Sequence, residues 1–341
     1  MAEHEYDLVV IGAGAAGGGA ASTAAQIGAH VALVERDQIG GTCLNYGCDP
    51  TKTLLHTAAL LYRAQHANIR GLRIPSAQVD WEAVQAHVRQ VINQIRGGTS
   101  EEARASLARQ GIEVLIGEAS FVSPHEVSVS GRTLSAARII IATGSRTAVP
   151  PVTGLGETGF ITNIEAVSLP RLPQRLAIIG GGPLGLEFAQ MFHRFGVQVT
   201  LLEEGPHLLG KDDRELADQL CHLLAAEGIR LETNAQVYRA YRDHTGKHLT
   251  IRCGNHTEEV LTVDEILLAA GRIPALAALH LEAAGIQSNE KGITVDPTLR
   301  TNVRHIWAAG DVTGGYPFTH VAYEQGRLAA RNAFAGEPEP F

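Results

Sequence analysis

The chain has 341 residues, 45% of them hydrophobic and 19% charged, a globular composition too long for one comfortable core, so two domains are expected. Its formal net charge of −8 gives no reason to expect nucleic acid or an anionic membrane as a partner. There is no basic leader and no uninterrupted apolar run of membrane-spanning length, and four cysteines do not make a secreted disulfide framework. A cytoplasmic protein is expected, with any disulfide catalytic.

Tyr6-Asp7-Leu8-Val9-Val10-Ile11 is a short apolar run ending in Gly12-Ala13-Gly14-Ala15-Ala16-Gly17. An Ala-rich helix to about Gly28 follows, then a second run, Val31 to Val34, closed by Glu35, 23 positions after the first glycine. This is a complete strand, glycine turn, helix and strand unit of the dinucleotide-binding kind. Gly12 makes the tight turn, Gly14 lets the backbone approach a pyrophosphate, Gly17 lets helix pack on strand, and Glu35 can accept from ribose hydroxyls.

Next comes Gly40-Gly41-Thr42-Cys43-Leu44-Asn45-Tyr46-Gly47-Cys48-Asp49-Pro50-Thr51-Lys52, with two cysteines five positions apart. Asp49 reads as a helix N-cap and Pro50 as the first helical residue, which places Cys48 at a helix N-terminus. There the helix dipole and Lys52 favour a thiolate, while Asp49 opposes it. Half of a metal site is the alternative, but Cys221 and Cys253 stand alone and no second pair at ligand spacing accompanies these two. No metal is expected. Buried, unreactive cysteines are the bland reading; Gly40, Gly41 and Gly47 argue against it, because they let a backbone come close to a ligand.

The segment GGTCLNYGCDPTK resembles the redox-active disulfide segment of the class I pyridine nucleotide-disulfide oxidoreductases, the family of lipoamide dehydrogenase, glutathione reductase and mercuric reductase. Supporting motifs recur from residue 7 to about residue 326. The resemblance implies a Cys43–Cys48 disulfide, with Cys48 the thiolate beside a flavin and Cys43 the one that attacks substrate. Tyr46 and Asp49 depart from the family pattern, which more often has small or aliphatic residues there.

Further on, Trp81, Val84, Val88, Val91, Ile92 and Ile95 keep helical spacing, and Thr99 with Glu102 forms a capping box. Ile112-Val114-Ile116 and Val127-Val129 alternate as strands do, while Ile139-Ile140-Ile141 is continuous and expected inside a parallel sheet. Ala142-Thr143-Gly144 resembles the segment where the chain leaves the flavin domain. After a Pro-rich connection the opening pattern repeats. Leu176 to Ile179 leads into Gly180-Gly181-Gly182-Pro183-Leu184-Gly185, a helix, and a strand ending at Glu203, again 23 positions after the first glycine. Glu203 can accept from a 2′-hydroxyl and would repel a 2′-phosphate, which favours NADH over NADPH; Glu204 and His207 stand beside it and can alter that balance. Glu187, expected on the first turn of the second helix, is by resemblance the acid that pairs with Lys52.

From Asp264 the chain runs Glu265-Ile266-Leu267-Leu268-Ala269-Ala270-Gly271-Arg272-Ile273-Pro274, a buried strand ending in a turn that resembles the family's return to the flavin domain. Ile306-Trp307-Ala308-Ala309-Gly310-Asp311 is similar to the family's second flavin motif, with Asp311 on the ribityl chain, and Ala322 lies in the segment facing the flavin ring. Arg36, Gly41, Thr42 and Lys52 join the flavin contacts by the same resemblance. His320 and Glu324 are four apart and are read as a local pair rather than an acid-base couple.

The expected fold is therefore α/β, two Rossmann-like dinucleotide-binding domains with the nicotinamide domain inserted in the FAD domain: FAD-binding over 1–148 and 272–341, nicotinamide-binding over 149–271. The expected function is an FAD-dependent NADH oxidoreductase acting through catalytic Cys43, Cys48, Lys52 and Glu187 on a small-molecule or small-protein disulfide or a metal-ion acceptor. Two alternatives stay open: an NADH:acceptor reductase for quinones, oxygen or dyes in which the cysteines are incidental, and a non-catalytic flavoprotein. The family's C-terminal interface domain, which makes its homodimer and supplies a His-Glu pair, is expected to be absent from these 341 residues.

Overall fold

The computed structural model describes residues 4–254 and 257–341. They fall into two compact units. The first comprises the chain up to Asn45, Asn93–Arg146 and Arg272–Phe341; the second comprises Tyr46–Ile92 and Thr147–Gly271.

Among the described residues, the first unit is built on a five-stranded parallel sheet. Its strands lie in the spatial order Ile306–Ala308, Ile139–Ile141, Leu8–Ile11, Val31–Glu35, Ile112–Ile116. Val31–Glu35 and Ile139–Ile141 flank the first strand, so strand order reverses beside Leu8–Ile11, the switch point at which open α/β sheets bind ligands. All three residues of Ile139–Ile141 are buried, as a continuous apolar run requires when both faces of the sheet are covered.

The helix Ala15–Gln26 buries Ala16, Gly17, Gly19, Ala20, Ala21 and Ala24 against the sheet and against the helix Thr319–Phe334. Small residues allow that approach. A Cβ on Gly326 would lie 1.9 Å from the carbonyl oxygen of Ala16. An antiparallel meander, Ala119–Ser123, Glu126–Val129 and Arg132–Ser135, closes the other side, with Phe121, Val127 and Leu134 in its core.

The second unit repeats the plan with four parallel strands among the described residues, in the order Arg230–Glu232, Gln198–Leu202, Arg175–Ile179, Glu265–Leu268. Its reversal again falls beside the first strand of the unit, and it too carries a meander, Gln236–Asp243, Gly246–Arg252 and Glu258–Val263. The helix Cys48–Gln65 and the helix Trp81–Arg96 as far as Ile92 belong to this unit. Leu54 and Ala58 of the former sit in one apolar cluster with Leu186, Phe188, Ala189 and Phe192 of the helix Pro183–Arg194. Trp81 joins the same cluster and donates its indole N–H to the Leu169 carbonyl at 2.8 Å.

The cysteine segment folds differently from the expected cap. Gly41–Tyr46 is a helix in its own right, and a second helix starts at Cys48 with Gly47 as its cap. Asp49 and Pro50 lie inside the first turn. Pro50 is tolerated because the first N–H groups of a helix have no intrahelical acceptor to lose. The Thr99–Glu102 capping box is present, and Thr162 with Glu165 forms another.

Candidate functional site

The two glycine turns are near copies. Gly12 has φ +103° and donates its N–H to Val34 at 2.7 Å; Gly180 has φ +117° and donates to Leu202 at 2.8 Å. Any side chain there would be strained, and its Cβ would meet the Ala142 or the Ala269 carbonyl oxygen at 2.3 or 2.4 Å. Gly17 and Gly185 sit where a Cβ would lie 1.7 and 2.0 Å from the carbonyls of Gly12 and Gly180, so each helix rests directly on its own turn.

Gly14 and Gly182 are the N-caps of Ala15–Gln26 and Pro183–Arg194, and among the described residues no side chain caps either helix and no acid occupies either first turn. The leading N–H groups and the positive end of each dipole are thus left for an anion such as a pyrophosphate. Gly41, with φ +62°, brings its backbone against the first turn: a Cβ on it would stand 2.5 Å from the Gly14 Cα. Gly40 donates to the Ala13 carbonyl at 2.9 Å and ties the two stretches together. The cradle is one a side chain would fill, and it fits a dinucleotide's phosphates.

The acids at the strand exits are held alike. Glu35 accepts from the Ala13 N–H at 2.8 Å with one carboxylate oxygen and from the Asp37 N–H at 2.9 Å with the other. Glu203 accepts from Gly181 at 2.6 Å and Gly205 at 2.7 Å. Each oxygen keeps a second lone pair, so a ribose hydroxyl can still donate. Beside Glu203, Glu204 is exposed and takes the Gln236 amide at 3.1 Å, and His207 is exposed. Arg36 and Thr42 are exposed near the first turn.

In the same unit as the first turn, Ala142 donates to Ile11 at 2.8 Å, Thr143 donates its hydroxyl to Ala275 at 3.0 Å, and Gly144 follows. Gly310 donates to the buried Gln325 side chain at 2.9 Å and precedes Asp311, which opens the short 3-10 turn Asp311–Thr313. Ala322 is buried close to Gly310. Two residues that the motifs did not single out meet Asp311. Ser145 donates its hydroxyl to the Asp311 carboxylate at 2.5 Å, and Arg272 donates to the Ser145 hydroxyl at 2.8 Å. The available signal was adjacency, Ser145 following Ala-Thr-Gly and Arg272 following Gly271.

Cys43 is half-buried in the helix Gly41–Tyr46, and Cys48 is exposed at the first position of Cys48–Gln65. That position puts its sulfur at the positive end of an 18-residue helix. Burial pushes the neighbouring Asp49 carboxyl up from its usual range, which favours its neutral form and so weakens its opposition to a thiolate. Lys52 and Glu187, 135 positions apart, form a two-pronged ion pair at 2.6 and 2.8 Å. Glu187 lies in the second turn of its helix rather than the first. The Lys52 side chain is 57% exposed, so the pair adds little stability, about 0–1 kcal/mol. Glu324 pairs with Arg327 at 3.2 Å and His320 stacks on Phe318, so those two do not form a couple. Among the described residues no group of three or more His, Cys, Asp or Glu is placed to hold a metal ion, and no helix is long and apolar enough to cross a membrane.

Two parallel sheets, each reversing strand order beside an uncapped glycine turn, define a Rossmann-like α/β protein of the dinucleotide-binding class. The pyridine nucleotide-disulphide oxidoreductase family model matches residues 6–326, and the chain belongs to that family. It is 34% identical to a mercuric reductase of Bacillus cereus over 98% of its own length and 52% of that protein's. It is 36% identical to a dihydrolipoyl dehydrogenase of Bacillus subtilis, over 96% of this chain and 71% of that one. Among solved structures, the HOCl-induced flavoprotein disulfide reductase RclA of Escherichia coli superposes with a TM-score of 0.84 at 34% identity, covering 98% of this chain and 72% of that chain. The chain thus spans about half the length of the mercuric reductase it resembles.

Proposed function

We propose that the chain is an FAD-dependent oxidoreductase that takes electrons from NADH and passes them to a Cys43–Cys48 disulfide and on to a disulfide or metal-ion acceptor. The duplicated glycine turn carries this reading: two uncapped helix N-termini in one chain, each beside a held carboxylate, suit two dinucleotides. We assign FAD to residues 1–148 and 272–341 and the nicotinamide cofactor to 149–271. When bound, FAD supplies a carrier that accepts a hydride and delivers an electron pair to sulfur.

The chain's own residues do the rest. Gly12, Gly14 and Gly17 hold one pyrophosphate at the head of Ala15–Gln26, and Glu35 and Asp311 accept sugar and polyol hydroxyls. Gly180, Gly182 and Gly185 hold the nicotinamide cofactor's pyrophosphate, with Glu203 on its ribose. The Lys52–Glu187 pair keeps a cation fixed one turn beyond Cys48. On reduction the Cys43–Cys48 bond opens with two electrons and one proton, leaving Cys48 as thiolate at its helix head and Cys43 as thiol; Cys43, once deprotonated, attacks the acceptor. Mercuric reductase and dihydrolipoyl dehydrogenase among the relatives support a metal ion or a disulfide as that acceptor.

The test is thiol alkylation of the FAD-loaded protein under anaerobic conditions, before and after NADH, read by peptide mass. Alkylation of Cys43 and Cys48 only after NADH is expected. Equal alkylation of both without NADH, in protein that still oxidises NADH with a dye, would favour an acceptor reductase in which the cysteines are incidental.

A further inference from the structure

Three segments far apart in sequence meet at Asp311: the strands Ser145–Thr147 and Arg272–Pro274 and the 3-10 turn Asp311–Thr313. Arg272 is half-buried, and desolvation presses its guanidinium below the usual arginine range while the Asp311 charge pulls it back. It donates through Nε to the Ser145 hydroxyl at 2.8 Å and through Nη2 to the Ser145 carbonyl at 2.7 Å. A guanidinium offers only donors, so the serine oxygen must accept from it. The one hydroxyl proton is then directed to Asp311 Oδ2, at 2.5 Å. The polarity of the chain Arg272 to Ser145 to Asp311 is therefore fixed, and a half-buried cation and its counter-charge are joined through a hydroxyl.

We propose that Ser145 and Arg272 are positioning residues for flavin binding: they commit Oδ2 of Asp311 and hold its carboxylate so that Oδ1 accepts from the polyol chain of FAD. This rests on the reading of Asp311 as a flavin ligand. Neither residue touches the cofactor in this scheme; both act through the carboxylate. The hydroxyl at 145 is the required feature, since alanine there would remove the donor that commits Oδ2 of Asp311 and the acceptor that Arg272 Nε meets.

FAD is titrated into the full-length apoprotein and followed by flavin fluorescence, for wild type, Ser145→Ala, Ser145→Thr, Arg272→Lys, Asp311→Ala and the double variant Ser145→Ala/Asp311→Ala. Apoprotein melting is recorded for each. Ser145→Ala is expected to weaken FAD by about tenfold, the scale of one charge-assisted hydrogen bond. Ser145→Thr, which keeps the hydroxyl, should restore affinity to within about threefold of wild type, again on the scale of one hydrogen bond. In the Asp311→Ala background the serine change should add nothing, because the group through which it acts is gone. Arg272→Lys, which keeps the charge and loses the planar fork, should fall between wild type and Ser145→Ala and serves if the alanine variant does not fold. Weak FAD binding by Asp311→Ala with wild-type affinity in Ser145→Ala and Arg272→Lys would overturn this proposal alone, as would a full tenfold further loss in the double variant. Wild-type FAD affinity in Asp311→Ala would overturn the reading of Asp311 itself.

Discussion

Replacing Glu203 by glutamine separates the charge at the second strand exit from its shape. The carboxylate accepts from Gly181 at 2.6 Å and Gly205 at 2.7 Å, so its place is set by backbone rather than by any ligand. A carboxylate and a phosphate dianion roughly 6 Å apart repel by about 1.4 kcal/mol at the dielectric of water and several-fold more inside protein. Glu203 is half-buried, so the water value is a lower bound. Glutamine removes that repulsion and turns an N–H toward one of the two backbone donors, which costs about 1–3 kcal/mol of stability and weakens acceptance from a 2′-hydroxyl. The ratio of kcat/KM for NADPH to that for NADH should therefore rise by at least about tenfold, with a lower melting temperature. The assay is steady-state dye reduction with each cofactor on FAD-saturated protein. A wild-type preference for NADPH, or a ratio unchanged within twofold in the variant, would refute the reasoning by showing that the carboxylate does not face the ribose.

Asp49→Asn should remove a carboxyl whose proton affinity is raised by burial. A raised folded-state pKa favours the folded state below the ordinary carboxyl pKa and loses that contribution as pH rises through the folded value, so the variant should gain in melting temperature at neutral pH and not near pH 3. Alkylation of Cys48 in the same variant should move to lower pH; an unmoved profile would mean that Asp49 does not act on the thiolate. Gly326→Ala drives a Cβ to 1.9 Å from the Ala16 carbonyl and forces the helices Ala15–Gln26 and Thr319–Phe334 apart. Overpacking of this kind costs about 1–3 kcal/mol, and denaturant unfolding at wild-type stability would contradict the packing described.

Much of this was legible because the glycine turns carry their reasons locally: the turn, the helix start and the acid 23 positions on all lie within one strand-helix-strand unit. The repeat of that pattern disclosed two such units, and the apolar run Ile139–Ile141 disclosed an interior strand. Asp49-Pro50 misled at the cysteine segment. The pair has the composition of a cap and a first helical residue, but the conformational freedom of Gly47 lets the helix begin two residues earlier than that reading. Packing of Cys48–Gln65 on Pro183–Arg194 is set by apolar contacts across more than a hundred residues, for which no local pattern exists. The same holds for Ser145 and Arg272. Their hydrogen bonds span 166 and 127 positions, and only the folded chain brings them to one carboxylate.

The electron capacity of the FAD-loaded chain tests the proposed chemistry most directly. Anaerobic titration with dithionite, followed by flavin absorbance, should require four electrons per flavin, two for FAD and two for the Cys43–Cys48 disulfide. Cys48→Ser should lower the count to two while FAD stays bound. Two electrons per flavin in the wild-type protein, with both cysteines already alkylatable before reductant is added, would contradict a redox-active disulfide and leave only the two nucleotide sites standing.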